Sequence, residues 1–132
     1  MKFALDSWAV LRLLDGDEPA ASRVQDVLDH ERPVMSWMNL GEVYYIVRRA
    51  ESDAEAREAI RDLRGLLTLD VPSEARVLSA AAIKADHAMA YADAFAAATA
   101  LATSTTLLTG DPELLLPAST WRWQDLRSPP EA

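Results

Sequence analysis

Four acidic residues, far apart in the chain, hold the chemistry that this sequence offers. Asp6 follows the apolar run Phe3-Ala4-Leu5, and Glu42 lies in the helical-looking stretch Asn39-Leu40-Gly41-Glu42-Val43-Tyr44-Tyr45. Asp93 sits in Tyr91-Ala92-Asp93-Ala94-Phe95, and Asp111 closes Leu107-Leu108-Thr109-Gly110-Asp111. Asp6 and Asp111 come directly after short buried-strand patterns. In an open parallel α/β sheet, such strand ends converge on one crevice. Carboxylates gathered there without basic partners repel one another, so a divalent cation is their natural occupant. Each acid also has a plain local reading. Asp6 can cap a helix starting near Ser7, and Asp111 can cap the turn at Pro112. Glu42 fits an exposed helix position, and Asp93 suits a helix N-terminus through the dipole. Taken together, the four point to a metal-dependent enzyme.

Strands alternating with helices must bring these residues together. Lys2–Leu5 reads as a first strand, and Ser7–Leu14 as a helix with Trp8, Leu11 and Leu14 on one stripe. Glu18–His30 carries Val24, Val27 and Leu28 at helical spacing, and Pro33–Met35 reads as a second strand. Ser36 is placed to cap a helix running to about Ala50, with Asn39 three positions on. A helix over Asp53–Arg64 is stopped by Gly65 and followed by a strand at Leu66–Leu69. Ser73–Lys84 and Tyr91–Ala102 read as helices, Thr105–Leu108 and Thr120–Gln124 as strands, and Pro112–Leu116 as a helical turn. The alternation predicts a parallel α/β sheet. The alanines between 94 and 102 remove side-chain bulk on several faces, so that helix can approach its neighbours closely and hold Asp93 against the strand ends. One domain over 1–127 is expected, with a loose tail at 128–132 where two prolines fall.

Composition narrows the function classes. The chain has 132 residues, half of them hydrophobic, which favours one domain with a real core. It has no cysteine, which removes disulfides, thiolate metal sites and a Cys nucleophile. The net charge of −8 speaks against binding nucleic acid through a broadly basic surface, though not against a nuclease whose acids are neutralised by metal. No signal peptide and no membrane span is legible, so a soluble, cytoplasmic protein is expected.

The four stretches resemble the PIN-domain ribonucleases, most closely the VapC toxins of bacterial toxin–antitoxin pairs. The resemblance covers nearly the whole chain, from Leu5-Asp6-Ser7 through Asn39–Val43 and Tyr91–Ala98 to Leu108–Pro112. It implies a three-layer α/β/α sandwich with a short parallel sheet and an endoribonuclease site dependent on Mg²⁺ or Mn²⁺. Asp6, Glu42, Asp93 and Asp111 match the family's acidic positions, and Thr109 matches a hydroxyl two residues before the last acid. On this basis Asp6, Asp93 and Asp111 are expected to form the main metal set. Glu42 would hold a second ion or orient the attacking water, and Thr109 would hydrogen-bond a carboxylate or a water on the ion. The resemblance alone implies a cognate VapB-type antitoxin and a homodimer; an Arg of the partner is expected to enter the acidic pocket. One position departs from the pattern: Ala90 stands where the family frequently has a capping Ser. Its absence predicts a less tightly held helix start, or a cap from Asp86 or His87.

Other residues carry weaker signals. Lys84 could meet a substrate phosphate and His87 could be a pH-sensitive neighbour, but helix-end roles suit both better. Trp8, Trp37, Met38, Tyr44 and Tyr45 read as core or interface, and an exposed subset could form a groove for a partner helix. Trp121 and Trp123 could stack bases, but a buried last strand is the stronger reading. The two histidines form no zinc motif, and none of the four glycines belongs to a phosphate loop. Two competitors remain. One is a non-catalytic PIN-like module whose pocket binds a partner's Arg. The other is a response-regulator receiver or phosphatase, but a receiver needs clustered acids at strand one and a Lys near its end, whereas here Asp6 stands alone at strand one and no suitable Lys follows strand four.

Overall fold

A computed structural model describes residues 1–128. The tail expected at 128–132 lies, from residue 129 onward, outside the described residues. The elements are β1 (Phe3–Leu5), α1 (Ser7–Asp15), α2 (Ala20–His30), β2 (Val34–Ser36), α3 (Trp37–Ala50), α4 (Asp53–Arg64), β3 (Thr68–Asp70), α5 (Glu74–Asp86), α6 (Tyr91–Thr103), β4 (Thr106–Thr109) and β5 (Arg122–Asp125). All five strands are parallel, in the order β3-β2-β1-β4-β5. The sheet is therefore the short parallel sheet of an α/β/α sandwich, as the sequence predicts.

Strand alternation explains the layers. Ala4, Val34 and Leu107 point into a core built with Ala80, Ile83 and the buried face of α6. Their neighbours Leu5, Met35 and Leu108 point the other way, into a core with Val10, Val24, Leu40, Val43 and Leu63. Side chains alternate with period two and both faces of a parallel sheet are covered, so the inner residues of the central strands β1, β2 and β4 are apolar, whereas the edge strand β5 (Arg-Trp-Gln-Asp) alternates between exposed and half-buried positions. Helices α1 to α4 cover one face and α5 and α6 the other. Helix α6 is buried over eight consecutive residues, Asp93–Ala100, and packs on β1, β2 and β4 as well as on α3 and α5. Five alanines among these eight residues let the helix approach so many neighbours at once, with Phe95 filling the core beside them.

Two boundaries move for visible reasons. The third strand begins at Thr68 instead of Leu66, because the amides of Leu66 and Leu67 still bond back to the carbonyl of Leu63 and extend the helix end. The second helix begins at Ala20, after Pro19, instead of Glu18. Helix α1 closes on Gly16 in the left-handed region (φ 70°), whose amide returns to Arg12 and Leu13. No helix among the described residues is long and apolar enough to cross a membrane.

Candidate active site

Register sets the site. Leu5 pairs with Leu108 across β1 and β4, so the next residues out, Asp6 and Thr109, leave the sheet side by side. Both are buried. The Thr109 hydroxyl donates to Asp6 Oδ2, while Asp6 Oδ1 accepts the Ala9 amide at 2.9 Å and so caps α1. The same hydroxyl accepts the Asp111 amide at 3.0 Å, which fixes its direction and bends the chain after β4 back toward Asp6. Burial raises the Asp6 carboxyl from its ordinary 3.8 to about 7. The bonds from Thr109 and Ala9 pull it down, and the charge of Asp111 adds to the rise.

Asp93 enters from the opposite layer, in the first turn of α6. Its carboxyl is pushed up to about 8, first by burial, then by Asp111 and, to a smaller degree, by Asp6 and Glu113. One carboxylate oxygen each from Asp93, Asp111 and Glu113 lies within 4.8 Å of the others. Asp111 Oδ1 accepts the Glu113 amide at 2.9 Å, and Glu113 Oε2 accepts the Ala90 amide at 2.8 Å. Glu42, half-buried on α3, accepts a hydrogen bond from the Ser7 hydroxyl, next in sequence to Asp6. The structure thus gathers Asp6, Asp93, Asp111 and Thr109, and attaches Glu42 to them at one remove through Ser7.

The donor set fits a hard divalent cation. It consists of carboxylate oxygens with no sulfur or imidazole, the chemistry that suits Mg²⁺ and Mn²⁺. Among the described residues, no Lys, Arg or His forms an ion pair with Asp6, Glu42, Asp93, Asp111 or Glu113. Two of these acids sit buried with pKa values raised first by burial and further by neighbouring carboxylates, so a cation would offset a cost that no basic side chain offsets.

Three residues of the site were not legible in advance. Glu113 lies two positions after Asp111, in a segment that otherwise reads as a turn. Ser7 was readable only as the first helical residue. Asn39, expected near the cap of α3, instead donates from Nδ2 to the Ala92 carbonyl at 2.9 Å and ties the Glu42 helix to the Asp93 helix; Ser36 caps α3 through the Met38 amide alone. The start of α6 has no side-chain cap from its own segment, neither Asp86 nor His87. The His87 ring stands edge-on to Trp121, 5.3 Å between centroids. Lys84 Nζ donates to the Met89 carbonyl at 2.8 Å, a helix-end role. Trp121 is buried and its indole donates to the Leu114 carbonyl, but it precedes β5 instead of lying in it, and β5, expected as a buried strand from Thr120, is an edge strand from Arg122 that alternates between exposed and half-buried residues. At the rim, the Trp8 indole lies directly against Gly110, with the Arg12 guanidinium 4.7 Å from its ring centre.

Comparison with known proteins agrees with this architecture. The sequence matches the PIN domain family over residues 3–117. No curated protein sequence matches it significantly. Among solved structures, DNA-bound VapBC from Salmonella typhimurium superposes with a TM-score of 0.75 at 16% identity, covering 96% of this chain and 98% of the other. VapBC-1 from nontypeable Haemophilus influenzae gives 0.74 at 22% identity, covering 97% and 100%. VapC20 from Mycobacterium tuberculosis, described as a Sarcin-Ricin loop cleaving toxin, gives 0.72 at 12% identity, covering 86% and 92%. At these identities the structural likeness speaks for the fold.

Proposed function

The chain belongs to the PIN-domain family, and from that premise we propose that it is a Mg²⁺- or Mn²⁺-dependent endoribonuclease, the VapC-type toxin of a pair silenced by a VapB-type antitoxin. The observation that carries the reading is the convergence of Asp6, Asp93 and Asp111, buried or half-buried and unpaired with any cation, at the ends of β1 and β4. Asp93 and Asp111 would hold the ion, with Asp6 beside them, oriented by Thr109. When bound, the ion supplies positive charge to the phosphoryl oxygens and acidifies water at neutral pH. Glu42, which accepts the Ser7 hydroxyl, would accept a proton from the attacking water or hold a second ion. Hydrolysis would form a P–O bond from the attacking water as a phosphodiester P–O bond of RNA breaks, with a proton passing to the departing oxygen.

The antitoxin reading has its own support. A groove of about 420 Å³ runs between α1, α3 and α4, with Leu11, Leu14, Ile46 and Val47 in its floor and Asp15, Glu51, Glu55, Glu58 and Asp62 around it. An amphipathic helix with a basic edge is its complement. An Arg from the same partner would meet the carboxylates of the site and compete with the ion. Action in the cytoplasm, where such RNA is found, and homodimerisation complete the proposal.

The test is cleavage of RNA by the purified chain in MnCl₂, in chelator, and after Asp93→Asn. Cleavage is expected only in the first condition. Activity that survives chelation or the substitution refutes the assignment. Calorimetric binding of Mn²⁺ without any cleavage would favour the non-catalytic module.

A further inference from the structure

Asp93 occupies the third position of α6, counted from the cap residue Ala90. An acid at that position ordinarily folds back onto the amide of the cap residue, as the reciprocal half of a capping box. A side chain so engaged would have one oxygen tied to its own helix. Here the Ala90 amide is already taken: Glu113 Oε2 accepts it at 2.8 Å, from the segment that follows β4. Ala90 itself has no side chain able to cap, and among the described residues Glu113 is the side chain that accepts its amide. At its other end, the Glu113 amide donates to Asp111 Oδ1 at 2.9 Å. One residue therefore touches the two elements that carry Asp93 and Asp111.

We propose that Glu113 is a positioning residue that caps α6 from outside, keeping the Asp93 carboxylate off its own helix and pinning the α6 start to the Asp111 turn. The proposal rests on the nuclease reading for what Asp93 is kept free to do, but the cap itself does not. It also accounts for the tolerance of Ala at position 90. A Ser there is unnecessary when a carboxylate arrives from another element.

Glu113→Gln and Glu113→Ala test it. Both remove the same negative charge, but only Gln keeps an oxygen that can accept the Ala90 amide. Mn²⁺ affinity of the full chain, measured by calorimetry well below the melting temperature, should fall about tenfold further for Ala than for Gln. The conservative variant thus rescues what the truncation loses. In the metal-free protein, a scalar coupling through the hydrogen bond should join the Ala90 amide nitrogen to the Glu113 side-chain carboxyl carbon. Equal Mn²⁺ affinities for Gln and Ala would overturn the positioning role, and a missing coupling would overturn the cap. A wild-type chain that shows the coupling but binds no Mn²⁺ would keep the cap and sink the nuclease reading.

Discussion

Asp6→Asn should make the metal-free protein more stable at alkaline pH while removing its metal binding. The Asp6 carboxyl is fully buried and its folded-state pKa is raised from 3.8 to about 7. The folded state therefore holds this proton more tightly than the unfolded chain. The resulting stability is fully present below pH about 4, declines as the pH rises, and is gone once the pH passes the folded value near 7. Each pH unit between the two values costs about 1.4 kcal/mol. From pH 5 to pH 8 the wild-type chain should lose roughly 2–3 kcal/mol through this group, and Asn, which does not titrate, should lose none of it. Asn keeps the oxygen that caps α1 through the Ala9 amide, so the helix start survives. Thermal unfolding followed by circular dichroism in chelator, at both pH values, reads the effect. The difference between wild type and variant should change in favour of the variant by about 10 °C in melting temperature from pH 5 to pH 8. Because only the change with pH is compared, any constant packing cost of the substitution cancels. Mn²⁺ should then restore the wild type at pH 8 and leave the variant unmoved. If the variant is destabilised equally at both pH values, the buried carboxyl carries no such penalty and the electrostatic argument for a cation fails.

Two further substitutions probe the frame around the acids. Gly110→Ala places a methyl group inside the Trp8 indole; it should cost about 1–3 kcal/mol and shift tryptophan fluorescence, since the ring must leave its seat. Thr109→Val keeps the volume but removes both the donor to Asp6 and the acceptor for the Asp111 amide; a loss of about 1–3 kcal/mol in denaturant unfolding should accompany weaker Mn²⁺ binding in calorimetry.

The central strands were legible because both of their faces are buried. Short apolar runs such as Phe3–Leu5 and Thr106–Thr109, each ended by an acid or a turn, admit few other readings. Asp6, Asp93 and Asp111 were legible because they sit where those runs stop or where an alanine helix starts. Glu113 was not. A Glu in a turn is usually solvated, and its role depends on a hydrogen bond to Ala90 across 23 residues. Asn39 was misjudged for a related reason. Local rules assign a polar residue near a helix start to its own cap, whereas its partner is the carbonyl of Ala92 on another helix. Contacts between elements have no signature in local spacing, so the residues that make them stay hidden until the elements are packed.

The capping role of these acids and the proposed metal role of Asp6, Asp93 and Asp111 are not rivals. A carboxylate has two oxygens, and the backbone claims one of them in Asp6, Asp111 and Glu113 alike. That bond fixes each side chain in one rotamer before any ion arrives, so little rotamer freedom remains to be lost on binding. Asp93 is the exception among the four, with no backbone amide on either oxygen among the described residues. It is carried instead by a helix buried from Asp93 to Ala100. Preorganisation therefore reaches the centre by two routes, local hydrogen bonds on the β4 side and close packing on the α6 side. Glu113 joins them through its carboxylate on the Ala90 amide and its own amide on Asp111.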